Sequence, residues 1–498
     1  MIDSSPKKPN NMQMKKRIIA AFTLINLVLV SSCTKDFEDL NTNPNLIEKV
    51  TPGSLVTPTI YGMSTYFTVR SYDFTWELMQ VALPNQSVAL GLHRYDVSES
   101  AGNGSWNTCY KYLRNVREME AAAELYQQPV YKAVAVTLKA YITGILTDSF
   151  GDIPFSEALK AEDKVNQPKF DTQEEIYTSL IQQLEDANTV YAGVGTMSGN
   201  DLLYNNVKAN WRKFNNSLLM RMLLRVSKRP EFNSYTRLQA MIADPAKYPV
   251  FTSNAEAAII KISGVSPYDY AWGRRQDYVN FTSMASYFVD MLNSLEDPRR
   301  ALFMTKASQI VNKVPVDLGF KGIPSAHSGD VSQFNYTPST PNGDLMYPSA
   351  VGTEIVEILM SYAEVEFIKA EVALKAGNLP AAKIAYEKAV TAAITQWKNG
   401  VMPATYFNNE KAVFNGTLEQ IMNQKYLGLF FSDYQQWFEY RRTGFPVLPK
   451  TAYMLHDGVM PTRFMYHNDV RRFNPENYKV AADRIGGDNV MTKVWWEK

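Results

Sequence analysis

The chain has only two cysteines and four histidines in 498 residues. Two cysteines allow one disulfide at most, so a disulfide-stapled scaffold is excluded and the fold must rest on packing. The histidines, His93, His327, His456 and His467, are scattered, and no H-E-x-x-H pattern joins any two of them. No P-loop or G-x-S-x-G motif is found either, so neither a phosphate-cradling loop nor a nucleophile elbow is expected. Neither sign of charge is in excess, since 51 Lys and Arg face 50 Asp and Glu. That balance supplies no basic field for nucleic acid. The apolar run at residues 18–30 is interrupted by Thr23 and Asn26. It falls short of the roughly 20 apolar residues that a permanent membrane span needs.

Order around that run is informative. Lys15, Lys16 and Arg17 precede it, and Ser31, Ser32 and Cys33 follow. A basic cluster, an apolar stretch and small residues in that sequence make a secretory signal peptide. Val30-Ser31-Ser32-Cys33 resembles a bacterial lipobox, in which the cysteine is acylated, palmitate being one such chain, and becomes the first residue. Buried acyl chains contribute about 0.8 kcal/mol per CH₂, which holds a protein on a membrane without a spanning helix. An unmodified Cys33 behind an ordinary signal is the alternative. Thr34-Lys35-Asp36-Phe37-Glu38-Asp39 resembles the charged tether that directs some lipoproteins to the outer cell surface. Loss of residues 1–32 removes five cations and Asp3, turning the net charge from +1 to −3. Cys109 then remains alone and reads as a small core residue.

From Asp36 to about Thr59 the chain is rich in Asn, Pro and Thr without periodicity, which predicts an extended tether. Helical patterns follow at 106–126, 131–145, 172–191, 210–228, 278–295, 356–376, 380–397 and 417–440. Thr172-Gln173-Glu174-Glu175 is a capping box ahead of an Ile176, Leu180, Ile181 and Leu184 stripe. Gly377 suits a left-handed helix end and Pro380 the first turn of the next helix. Gly377, Leu379, Ala382, Tyr386 and Ala389 match the second half of a tetratricopeptide repeat. Between about Pro230 and Tyr347, and after Phe445, composition shifts to Gly, Pro, Asn, Ser and Tyr, as in long ordered loops.

Several segments resemble the SusD/RagB family of outer-membrane nutrient-binding lipoproteins. They are Gly151-Asp152-Ile153-Pro154 after a long helix, the Trp211, Phe214, Leu218 and Arg221 helix, and the Asp297-Pro298-Arg299 turn. Gln424-Lys425-Tyr426 and residues 437–446, then Pro461-Thr462-Arg463 and Asn477-Tyr478, continue the series. Phe438 departs from the family's frequent Asp after the Trp. The resemblance implies a mainly α fold, with tetratricopeptide-like helical hairpins packed against a loop-rich second half. It implies a removed signal at 1–32, a lipidated tether at 33–59 and a single domain at 60–498. It further implies a lid over a SusC-like TonB-dependent outer-membrane barrel, binding an oligosaccharide or a peptide for uptake, with no chemistry of its own, and the residues themselves offer no cofactor or metal motif.

The residues agree with a binding role. Asp148 and Asp152 are spaced like a possible acid/base pair, but Asp152 lies in a turn where capping is the ordinary use of such a side chain. Exposed aromatics beside polar groups would serve sugar rings. Tyr268, Tyr270 and Trp272 crowd one polar loop, while Trp76, near Glu77 and Gln80, and Tyr95, near His93 and Arg94, are further candidates. Core packing is the competing use of each, and it is favoured for Trp106. A surface glycoside hydrolase and a repeat-based protein scaffold are the alternative functions.

Overall fold

A computed structural model describes residues 50–87 and 91–498. The expected signal peptide, Cys33 and most of the expected tether therefore lie outside the described residues. A 3-10 turn at Pro52–Leu55 leads into α1 at Val56–Arg70, so the chain is helical where the composition predicts an extended tether up to Thr59. Pro58 misleads there. It sits in the first helical turn, where a backbone N–H would find no intrahelical acceptor.

Successive helices α2 (Asn103–Leu125), α3 (Pro129–Phe150), α4 (Gln173–Ala192) and α5 (Lys208–Arg225) each pack on the next. The capping box forms as expected, with Thr172 accepting from the Glu175 N–H and Glu175 accepting from the Thr172 N–H. Helix α3 is long and apolar enough to cross a membrane, but most of it is buried within the helical layer. Cys109 is buried on α2, and Trp106 packs edge-on against Phe150 at 5.1 Å.

Helix α6 (Ser286–Ser294) belongs to the loop-rich half. A second helical group contains α7 (Tyr362–Lys375), α8 (Leu379–Thr395), α9 (Leu418–Gly428) and α10 (Gln435–Thr443). Gly377 has φ 73° after α7, and Pro380 lies in the first turn of α8, as the hairpin pattern requires. Residues Thr51–Lys498 cluster into one compact unit.

Three expected helices are divided. Strands β1 (Ala82–Pro84) and β2 (Ala258–Ile262) precede β3 (Thr282–Met284), β4 (Ser308–Val311), β5 (Val314–Asp317) and β6 (Ile355–Met360). Strand β3 pairs antiparallel with β1 and interrupts the helix predicted over 278–295. The start of the span predicted at 356–376 is instead β6, paired antiparallel with β2. Ile355, Val356, Ile358 and Leu359 suit a buried strand, and Ser361 caps α7 by accepting from Glu364 N–H. The span predicted at 417–440 breaks between α9 and α10, where Phe431 and Asp433 take φ values of 61° and 39°. The Asp433 carbonyl there accepts hydrogen bonds from the Ser71 and Thr75 hydroxyls, which a π turn at Ser71–Thr75 presents.

A buried ionic cluster binds the two helical groups. Arg221 grips Glu364 with two bonds of 2.6 Å. Arg225 reaches Glu439 at 2.8 Å and pairs with Asp148 at 3.1 Å. Arg442 spans Glu371 at 2.6 and 2.7 Å and Glu439 at 2.8 Å, while Lys425 donates to Glu439 at 2.7 Å. Burial pushes the Glu439 carboxyl up, but Arg442, Lys425 and Arg225 outweigh it and hold the group well below its usual range.

Glu357 on β6 is fully buried without a cation. Burial raises its pKa to about 7, only partly offset by the Ser64 and Thr65 hydroxyls, which donate to it at 2.6 and 3.2 Å. Its folded pKa exceeds the ordinary 4.5, so the penalty it imposes is absent below 4.5, grows as pH rises toward about 7 and is constant above that. Glu357→Gln should therefore raise the melting temperature at pH 8, relieving a penalty on the order of 3 kcal/mol, and give no gain at pH 4. Equal effects at both pH values in a thermal melt would contradict this account.

Candidate ligand-binding surface

The segment between β2 and β3 is short of regular structure and rich in aromatics, and the sheet of β2 with β6 fixes its start. Tyr268 meets Tyr61 of α1 edge-on at 5.3 Å, and the Tyr61 hydroxyl donates to the Asp269 carbonyl at 3.0 Å. Tyr270 meets Tyr347 at 5.1 Å and donates to the Thr353 carbonyl at 2.6 Å. Arg275 donates to Asp344 at 2.7 Å and also to the Tyr347 carbonyl. Gly343 permits that approach, since a Cβ there would overlap the Arg275 guanidinium. Gly264, at φ +68°, likewise leaves room for the Tyr270 ring.

Tyr268 and Tyr270 are half-buried, anchored on one side and open on the other, beside the exposed Val265, Asp269 and Arg274. A ring fixed by its neighbours loses little entropy on stacking, and the flanking charges can hydrogen-bond hydroxyls or amides. Burial, then Tyr347, raises the Tyr270 phenol above its usual range, so it remains a neutral hydrogen-bonding group.

The other three aromatic candidates are placed differently. Trp76 is 0% exposed, stacked on Phe430 at 4.7 Å and touching Phe431 and Tyr72. Tyr95 is 2% exposed, its hydroxyl approached by Gln80 Nε2 at 3.4 Å. Trp272 is 8% exposed and packs between Tyr278 at 4.8 Å and Tyr72 at 5.5 Å. None of these three offers a free ring face in this conformation. Local sequence cannot separate a loop tryptophan that turns inward from a tyrosine that stays at the rim.

Tyr61 and Tyr347 are additions that no local pattern suggests, because each comes from a distant segment. Tyr453, 56% exposed with the Arg94 guanidinium over its ring at 5.6 Å, is another. Arg94 also donates to the His327 carbonyl at 2.9 Å, and the His93 and His327 rings lie 5.6 Å apart. Burial, with help from His327 and Arg94, pushes His93 down to about 4, so it is neutral at physiological pH. Asp148 and Asp152 are committed to structure. Asp148 accepts from Tyr177 at 2.6 Å and Trp496 at 2.8 Å, while Asp152 accepts from Gln173 N–H at 2.9 Å and Arg484 at 2.6 Å. On the helical side, a groove of about 340 Å³ runs between α2, α3 and α4, where Lys139 pairs with Glu120 at 2.7 Å.

A family model described as "Starch-binding associating with outer membrane" matches residues 44–467. No curated protein matches the chain. Among solved structures, a chitin-binding protein is 24% identical with a TM-score of 0.76, over 90% of this chain and 100% of that one. An outer membrane protein of Bacteroides vulgatus, described in connection with nutrient binding, is 23% identical with a TM-score of 0.75 and the same coverage. A SusD homologue from Bacteroides fragilis is 20% identical with a TM-score of 0.74, again over 90% and 100% of the two chains.

Proposed function

The chain belongs to the SusD-like family of outer-membrane binding proteins, and from that premise we propose that it is a surface lipoprotein that captures a nutrient and serves as the lid of a SusC-like TonB-dependent barrel. Cys33 is the proposed lipid anchor, on the strength of its lipobox-like context. The proposed ligand is an oligosaccharide, and the observation that carries this is the pair of anchored, half-open rings of Tyr268 and Tyr270. A peptide is the second ligand class, favoured by the charged side chains of Asp269, Arg274 and Asp277 on the same loop. Members of this family bind rather than transform their ligands, and the engagement of Asp148 and Asp152 in hydrogen bonds accords with a non-enzymatic role. The groove along α2, α3 and α4 supports partner binding by the helical side.

A pulldown of tagged mature protein from its native membranes, in gentle detergent, tests the transporter role. We expect an outer-membrane barrel in near-equal amount, identified by mass spectrometry. Recovery of the protein alone, still membrane-bound, would count against the lid reading and redirect attention to hydrolysis assays.

A further inference from the structure

A separate cleft of about 690 Å³ opens between α6, the 410–417 loop and α9, on a different part of the surface from the tyrosine loop. Its walls are set by internal bonds. Asn409 donates to the Ser294 carbonyl at 3.0 Å, and Gln420 accepts from Asn415 N–H at 2.7 Å while donating to the Lys411 and Val413 carbonyls. The cleft is thus largely formed before any ligand arrives.

Its lining is rich in acceptors. Asp290 and Glu419 form no ion pair among the described residues, Glu410 adds a third carboxylate, and Lys411 is the cation set against them. Deeper in the same lining, Gln424 is only 2% exposed, and its Oε1 accepts no hydrogen bond among the described residues. The Gln424 amide nitrogen is held weakly, at 3.4 Å from the Tyr406 hydroxyl. The neighbouring Asn423 Oδ1 is also buried and without a donor. A buried acceptor left empty is costly, so two of them beside carboxylates without an ion-pair partner describe a site that wants donors. Partial burial raises the carboxyl of Asp290, an exposed residue of the lining, above its usual range.

We propose that this cleft binds a small organic ammonium compound, its charged nitrogen paired with Asp290 and Glu419 and its other donors satisfying Asn423 and Gln424. A bare divalent ion is disfavoured because its oxygens must converge to about 2.3–2.6 Å. The described residues contain no group of three His, Cys, Asp or Glu placed to hold a metal. The half-buried Tyr287 ring adds an aromatic wall suited to a cation.

The test is isothermal titration calorimetry of the mature protein with glucosamine, glucose and calcium chloride as separate probes. Glucosamine should bind at least tenfold tighter than glucose, weaken as salt is raised, and lose about tenfold in Asp290→Asn. Glu419→Gln, at an exposed position, should produce a loss of similar size and guards against misfolding of the first variant. Equal binding of the two sugars overturns the proposal, as does indifference to both variants. Calcium binding that depends on Asp290 without glucosamine binding would assign a metal site instead. All three titrations are repeated in the Tyr268→Ala background, which removes any sugar bound at the tyrosine loop, so failure here and failure of the tyrosine-loop reading are separable.

Discussion

Replacing Glu439 with glutamine is expected to lower the free energy of unfolding by about 3–5 kcal/mol at neutral pH. Arg225, Lys425 and Arg442 all converge on that carboxylate within 2.8 Å, and every member of the group is buried. A neutral amide keeps the shape but leaves the cations in excess, and its NH₂ must face at least one of them. Because the folded pKa of Glu439 is depressed, its stabilisation is complete above the ordinary value of 4.5 and is lost as pH falls through the folded value. The gap between wild type and variant, measured by urea unfolding, should therefore be widest near pH 7 and narrow below pH 4.5. A constant gap across that range would mean that packing, rather than charge, accounts for the loss.

Trp76→Ala should destabilise by a similar amount, about 3–5 kcal/mol, because it empties the centre of an aromatic stack. Phe430 lies 4.7 Å from Trp76 and 4.1 Å from Phe303, so removing the indole exposes a chain of rings that connects the loop-rich half to α9. Tyr268→Ala removes one edge contact at the rim and should cost far less stability while weakening ligand binding. Thermal melts with parallel glycan titrations distinguish the two positions. A Trp76→Ala protein with native melting behaviour and lost ligand affinity would return the tryptophan to the binding surface.

These contrasts mark where sequence reading works. Local signals survive folding when the chain satisfies them within a few residues, as at the Thr172 capping box and the Gly377 and Pro380 hairpin. The Asp297-Pro298-Arg299 turn is similar, for Arg299 closes back on Asp297 with bonds of 2.6 and 2.8 Å. Signals fail when a distant partner decides. The apolar run beginning at Ile355 fits helix or strand, and only pairing with β2 selects the strand. Trp76 and Tyr268 are both aromatics beside polar residues, yet Phe430 draws one inward and Tyr61 holds the other at the rim. The tyrosine loop was legible as a cluster, while the faces its rings present were not.

The ionic cluster also bears on how the molecule can be made. Its cations and carboxylates are spread from Asp148 to Arg442, with Arg221 and Arg225 contributed long before Glu364, Glu371 and Glu439 have been synthesised. An N-terminal half alone would hold buried guanidinium groups with few counter-charges, which is costly in an apolar interior. Burial of Arg221 and Arg225 therefore requires the C-terminal helices, and the native packing of the two helical groups is completed only together.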